Sequence, residues 1–202
     1  AILKDTKALL CLDCGKCTGS CPISRMGVSY SPRLHIARMV YGYENEVLED
    51  MDTWSCLTCG LCEAKCPSGV KYVRFIEQVR AFAANERRGG FCAHAGITQA
   101  LARSMANDGH DQNRLEWATG NLQTSESGEV LYFVGCLPYF DTIFEYINIE
   151  GTDIAKNTVE LLNKLGVAPV VMRNEVCCGH DLLWSGDTTN FKKLVEKNAE
   201  RI

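Results

Sequence analysis

The chain has 202 residues, 46% of them hydrophobic and 23% charged, enough for a buried core and for more than one compact unit. A net charge of −4 and a pI near 5.6, with basic residues scattered rather than clustered, argue against nucleic-acid binding. The longest apolar run, 131–140, is broken by Gly135 and Pro138, and no basic-then-apolar leader opens the chain, so we expect a cytoplasmic protein that meets a membrane only through a partner.

The first element in chain order is a cysteine run. Cys11, Cys14, Cys17 and Cys21 precede Pro22 with the spacing C-x-x-C-x-x-C-x-x-x-C-P, and the string recurs as Cys56, Cys59, Cys62 and Cys66 before Pro67, using eight of the twelve cysteines. Three thiolates a few residues apart, on a backbone turned by Gly15 or Gly60, can cap three irons of one cubane. The proline after the fourth cysteine stops a helix from running through the ligand. A zinc site and a disulfide framework are the alternatives, but zinc is served by paired C-x-x-C knuckles, not by a triple run with an outlying fourth. The string resembles the ligand run of two-cluster bacterial ferredoxins, which implies two 4Fe-4S clusters with crossed ligation. One would take Cys11, Cys14, Cys17 and Cys66, the other Cys56, Cys59, Cys62 and Cys21. Such motifs persist best in a reducing cytosol.

Between the runs, Ser31-Pro32 followed by Leu34, Ile36, Ala37, Met39 and Val40 predicts a capped helix with proline in its first turn. After the second run, 70–85 predicts a helix that turns Val70, Val73, Phe75, Ile76, Val79 and Phe82 inward and ends in 86–90. Trp54 and Tyr72 flank the second run as packing residues that exclude water, while Lys16 and Lys65 either offset cluster charge or are simply solvated. The helical insert between the runs is similar to the alpha-helical ferredoxin module of iron-sulfur subunits in multi-subunit oxidoreductases, and sets a first domain at 1–90. Cys92 and His94 are two candidate ligands, too few for a metal site, and Cys92 is more economically a free cysteine.

Residues 91–128 read as a helix over 97–107 and a polar linker. The apolar run 129–134 predicts a buried strand that stops at Gly135-Cys136. A helix over 152–165 follows, with Ile154, Ala155, Thr158, Leu161, Leu162 and Leu165 inward and Gly166 as its terminator, then a second strand at 167–172. Strand, helix, strand predicts a parallel crossover whose sites lie beyond the strand ends. There stand Cys136 and the Cys177-Cys178-Gly179 string, three thiolates for a possible third metal site, or else buried inert cysteines. Adjacent Cys177 and Cys178 make a poor disulfide. His180 could hand a proton to a departing thiolate, or be a surface histidine.

The stretch from 134 to 179 resembles the first part of a CCG domain, the cysteine-rich module of heterodisulfide reductase catalytic subunits and of the iron-sulfur subunits of glycolate, lactate and glycerol-3-phosphate dehydrogenases. A ferredoxin-like unit followed by such a module resembles a fused heterodisulfide reductase of the D-subunit type. The resemblance implies an α-helical two-cluster ferredoxin domain followed by the start of an α/β CCG domain at 129–202. It maps Cys136, Cys177 and Cys178 onto the first three cysteines of a motif that holds a noncubane 4Fe-4S cluster. The closing C-x-x-C pair is absent from 179–202, where 191–202 reads as a helix without a stop signal, so we expect a piece of a longer chain. The expected function is electron transfer in an anaerobic oxidoreductase complex, from a flavin-containing or iron-sulfur partner through two 4Fe-4S clusters to the CCG module. The alternatives are the iron-sulfur subunit of one of those dehydrogenases, the disulfide-reducing catalytic subunit itself, and a non-redox zinc scaffold.

Overall fold

The computed structural model describes residues 1–86, 88, 94–109 and 112–202. They fall into two units, Ala1–Ala95 with Leu182–Thr188, and Gly96–Asp181 with Thr189–Ile202.

The first unit is helical. Ser31 caps Pro32–Val40 as its sequence requires, its hydroxyl accepting from Leu34 N at 3.2 Å with proline in the first turn. The helix Tyr72–Asn85 buries Tyr72, Phe75, Ile76, Val79, Arg80 and Ala83, a stripe of helical period. That stripe packs against Ala8, Cys21, Tyr30, Ile36, Val47, Leu48, Cys62 and Val70 to form the core. Phe82, expected inward, is 49% exposed, because the stripe runs through Arg80 and Ala83 instead.

The second unit is also mostly helical, with Ile97–Ala106, Leu137–Ile143, Gly151–Lys164 and Thr188–Ala199. Among the described residues there is no strand, so the expected α/β architecture is not confirmed here. The two apolar segments meet through one isolated parallel bridge, Leu131 with Val170, and Ser125, upstream of the first segment, bridges the same residue. Val170 N donates to Val130 O at 2.8 Å and Val170 O accepts from Tyr132 N at 2.9 Å. One residue bonding two positions on its neighbour is the start of a parallel ladder, one register long. Ile154, Leu161 and Leu165, expected inward, are exposed, since Gly151–Lys164 buries the narrower stripe Gly151, Ala155 and Val159. Ala155 and Val159 join Trp117, Val134 and Val171 in the core of this unit.

Among the described residues, no helix is long and apolar enough to cross a membrane.

Candidate metal centres

The two cysteine runs fold as near copies. Cys11 and Cys56 share one backbone conformation (φ −64°, ψ 123° and φ −63°, ψ 123°). Two residues on, Asp13 and Thr58 both turn left-handed, at φ 53° and 52°. Gly15 and Gly60 follow at φ 74° and 73° and open the short helices Lys16–Ser20 and Leu61–Ala64. The left-handed turn aims backbone donors at sulfur, since Asp13 N and Thr58 N each point at the sulfur two residues back, Cys11 and Cys56, at 3.4 Å. Val70 N adds a third such contact, to Cys66 Sγ at 3.3 Å. Donors of this kind favour the charged thiolate that a cluster needs.

Each run contributes to two cavities. Cys11, Cys14, Cys17 and Cys66 line one, with Cys62 also in its wall. Cys21, Cys56, Cys59 and Cys62 line the other. Tyr72, buried, walls both. Its hydroxyl lies 2.9 Å from Tyr30 Oη and 2.9 Å from His35 Nδ1, a polar chain inside the apolar core. Burial lowers the His35 pKa to about 4, against the pull of Asp50, whose carboxylate is 3.8 Å from His35 Nε2. Burial also raises the Cys17 thiol and pushes Cys62 up to about 12. Cys14 and Cys59, the second cysteines of the runs, are exposed. Trp54 is half-buried and lies against Arg80, while Lys16 and Lys65 are on the surface.

The donor set fits iron-sulfur clusters. At least four thiols line each cavity, backbone amides point at three of the sulfurs, and buried apolar residues wall both spaces. Among the described residues, no three Cys, His, Asp or Glu side chains converge as tightly as one metal ion requires.

In the second unit, Cys136 Sγ is 3.4 Å from Cys177 Sγ, and Cys178 stands against Cys177. The contact with Cys177 lowers the Cys136 pKa, while the contact with Cys136 pushes Cys177 up to about 11. Cys177 is held by its backbone, since its N–H donates to Met105 Sδ at 3.2 Å and Asn198 Nδ2 donates to its carbonyl at 3.2 Å. Gly179 has φ +80°, and a Cβ there would lie 2.7 Å from the Phe191 ring, so the glycine of the Cys-Cys-Gly string is a steric requirement. Glu175 Oε1 accepts from Gly135 N at 2.8 Å and from Arg114 Nη2 at 2.9 Å, and Oε2 accepts from Val134 N at 3.2 Å. Arg114 Nη2 donates in turn to Gly135 O. This buried pair therefore ties the Cys136 loop to the Cys177 loop. His180 is exposed and pairs with Asp181 at 3.2 Å, a surface position. Cys92, and with it the pairing with His94, lies outside the described residues.

Sequence reasoning missed Arg80, Arg114, Glu175, Asn198 and His35. Arg80 and His35 carried a readable signal, because each interrupts the apolar stripe of a helix.

Comparison with known proteins gives these two sites a family. Residues 7–70 match the 4Fe-4S dicluster domain, and residues 130–202 match the cysteine-rich domain known as CCG. The chain is an iron-sulfur protein of the dicluster and CCG type. It is 25% identical to an uncharacterized iron-sulfur protein of Methanococcus maripaludis, over 98% of this chain and 40% of the relative. It is 26% identical to a fumarate reductase (CoM/CoB) subunit of Methanothermobacter marburgensis, again over 98% of this chain and 40% of the relative. A further uncharacterized iron-sulfur protein, from Methanocaldococcus jannaschii, is 30% identical over 38% of this chain and 14% of its own length. The chain thus spans about two fifths of the length of the first two relatives. With a dicluster domain and a CCG domain in one chain, 4Fe-4S clusters are its cofactors.

Proposed function

We propose that the chain is the electron-transfer part of a heterodisulfide-reductase-like oxidoreductase complex, working in the cytoplasm of an anaerobe. In this reading Cys11, Cys14, Cys17 and Cys66 hold one 4Fe-4S cluster, and Cys56, Cys59, Cys62 and Cys21 hold the other. One observation supports it: three cysteines of one run line each cavity together with the fourth cysteine of the other run, Cys66 in the first and Cys21 in the second, while Cys62 reaches both. The clusters supply one-electron storage, and the chain supplies ligands, dry walls and amide donors to sulfur. The exposed Cys14 and Cys59 give each cluster an edge that a partner can approach.

The likeness to a fumarate reductase subunit supports assembly with other subunits; in this reading the electron donor among them is a flavin-bearing or iron-sulfur subunit. Cys136, Cys177 and Cys178 would begin the ligand set of a third, noncubane cluster, which receives the electrons and works on a disulfide. Residues 129–134 and 167–172 would then be the first two parallel strands of the α/β CCG domain at 129–202, of which the bonds at Val170 would be the first rung.

The test is anaerobic purification with iron and sulfide counts, followed by paramagnetic resonance of Cys21→Ser and Cys66→Ser. Crossed ligation expects about eight irons in the ferredoxin-like domain. Cys21→Ser should then disturb the same signal as Cys59→Ser, and Cys66→Ser the same signal as Cys14→Ser. The opposite pairing, or zinc in place of iron, would refute the assignment.

A further inference from the structure

A guanidinium in a protein core needs a counter-charge, and Arg80 has none among the described side chains. Arg80 is 3% exposed. Its Nε and Nη2 donate to Thr53 O at 3.2 and 3.0 Å, Nη2 also to Cys56 O at 3.0 Å, and Nη1 to Trp184 O at 3.4 Å. All these acceptors are neutral carbonyls. The Trp54 ring, with Cζ 5.4 Å from its centroid, gives only a partial anionic face. The contrast is with Arg114, equally buried, which has Glu175 at 2.9 Å. A buried charge without a partner is strongly unfavourable, so such groups are paired or neutralised. Burial works against the charge on Arg80, and the leading influence in its favour is the sulfur of Cys56.

Cys56 draws a second polar group. Tyr30 is buried in the wall of the same cavity, with its hydroxyl against the Cys56 sulfur. If His35 carries its proton on Nδ1, it donates to Tyr72, Tyr72 donates to Tyr30, and the Tyr30 proton is free to point at Cys56.

The other cavity is built differently. Its nearby cations are Lys16, on the surface, and Arg33, part-exposed and paired with Asp13 at 2.9 Å, so water and a carboxylate blunt both. It has two of the three amide contacts to sulfur, at Cys11 and Cys66, against one at Cys56. Those are neutral dipoles. A full charge in a poorly screened interior acts over a longer range and outweighs one additional dipole.

We propose that Arg80, assisted by the Tyr30 hydroxyl, makes the cluster held by Cys21, Cys56, Cys59 and Cys62 the more easily reduced of the two, with that cluster serving as the counter-ion of Arg80. A cubane bound by four thiolates is an anion in both redox states and gains one further negative charge on reduction. A fixed neighbouring cation therefore favours the reduced form. The electron rests on the Arg80 side of the unit, so the site lined by Cys11, Cys14, Cys17 and Cys66 is the side from which it arrives. This inference rests on the ligand assignment proposed above.

The experiment is a dithionite titration of the full chain, loaded with clusters and followed by paramagnetic resonance, with Cys14→Ser and Cys59→Ser used to label the two signals. The iron count and those labels test the assignment, while the potentials of the Arg80 variants test the inference. Arg80→Gln should lower the potential of the Cys59-labelled cluster and leave the other nearly unmoved. Arg80→Lys, which keeps the charge but not the fork, should hold most of the wild-type value. Tyr30→Phe should give a smaller shift of the same cluster in the same direction. The proposal is overturned if the Cys14-labelled cluster is the one reduced first. It is equally overturned if Arg80→Gln moves both potentials alike or neither, or if Arg80→Lys falls as far as Arg80→Gln. Should Arg80→Gln fail to hold the cluster, Arg80→Lys and Tyr30→Phe decide, and an unshifted Tyr30→Phe beside a strongly shifted Arg80→Lys refutes it.

Discussion

Arg114 Nη2 sits 2.9 Å from Glu175 Oε1, both side chains almost wholly buried, and the pair spans the two loops that bring Cys136 and Cys177 to 3.4 Å. Removing one partner strands a charge in the core. Glu175→Ala should therefore cost about 3–5 kcal/mol. It should also raise the alkylation rate of Cys136 and Cys177. Glu175→Gln keeps an acceptor for the Val134 and Gly135 amides and should fall between that variant and the wild type. Denaturant midpoints and timed thiol labelling of the three proteins check the order.

Gly179→Ala should destabilise by roughly 1–3 kcal/mol, from a left-handed backbone and a clash with the Phe191 ring. Adding Phe191→Ala removes the clash but not the backbone strain, and opens a cavity of its own. A double-mutant cycle should give a coupling that relieves part of the Gly179→Ala loss; purely additive losses would place the strain in the backbone alone.

Acid should weaken the first unit through His35. Its folded pKa is about 4 against an ordinary value of 6.5, so at neutral pH it is uncharged folded or unfolded. As pH falls below 6.5 the unfolded chain binds a proton that the folded chain refuses, and stability declines until about pH 4. The full loss is on the order of 3 kcal/mol. Denaturation midpoints measured between pH 7 and pH 5 should fall more steeply in the wild type than in His35→Gln.

Stripping the iron should be proton-consuming. Free Cys17 and Cys62 thiols are pushed up by burial, Cys62 to about 12, so they must lose protons to bind a cluster and regain them on release. Treatment with a chelator in weakly buffered solution should show proton uptake by an indicator dye, and the clusters should be held less tightly as pH falls. Thermal midpoints should drop as well, because Arg80 loses its anionic neighbour.

The sequence carried the cysteine spacing, the proline stops, the Ser31 cap and the helical periods, because each is a local rule that a few neighbouring residues satisfy. What it did not carry is set by distant neighbours. The stripe of Tyr72–Asn85 was drawn by hydrophobicity and so included Phe82 and passed over Arg80, whose burial depends on carbonyls at Thr53, Cys56 and Trp184. The same reasoning placed Leu161 and Leu165 inside, although the packed face of Gly151–Lys164 is defined by Ala155 and Val159. An apolar run such as 129–134 gives no count of the partners it will find, and here Val170 supplies the bridge. Glu175 and Arg114 lie far apart in sequence, and no pattern in either neighbourhood announces the other.

The walls of the two cavities draw on both cysteine runs, which makes the runs interdependent. A nick or insertion that separated 1–21 from 56–66 would not leave two half-proteins with one cluster apiece. It would leave two incomplete coordination spheres. Loading should accordingly be all-or-none for the pair, so a population short of iron would hold full and empty molecules rather than half-filled ones.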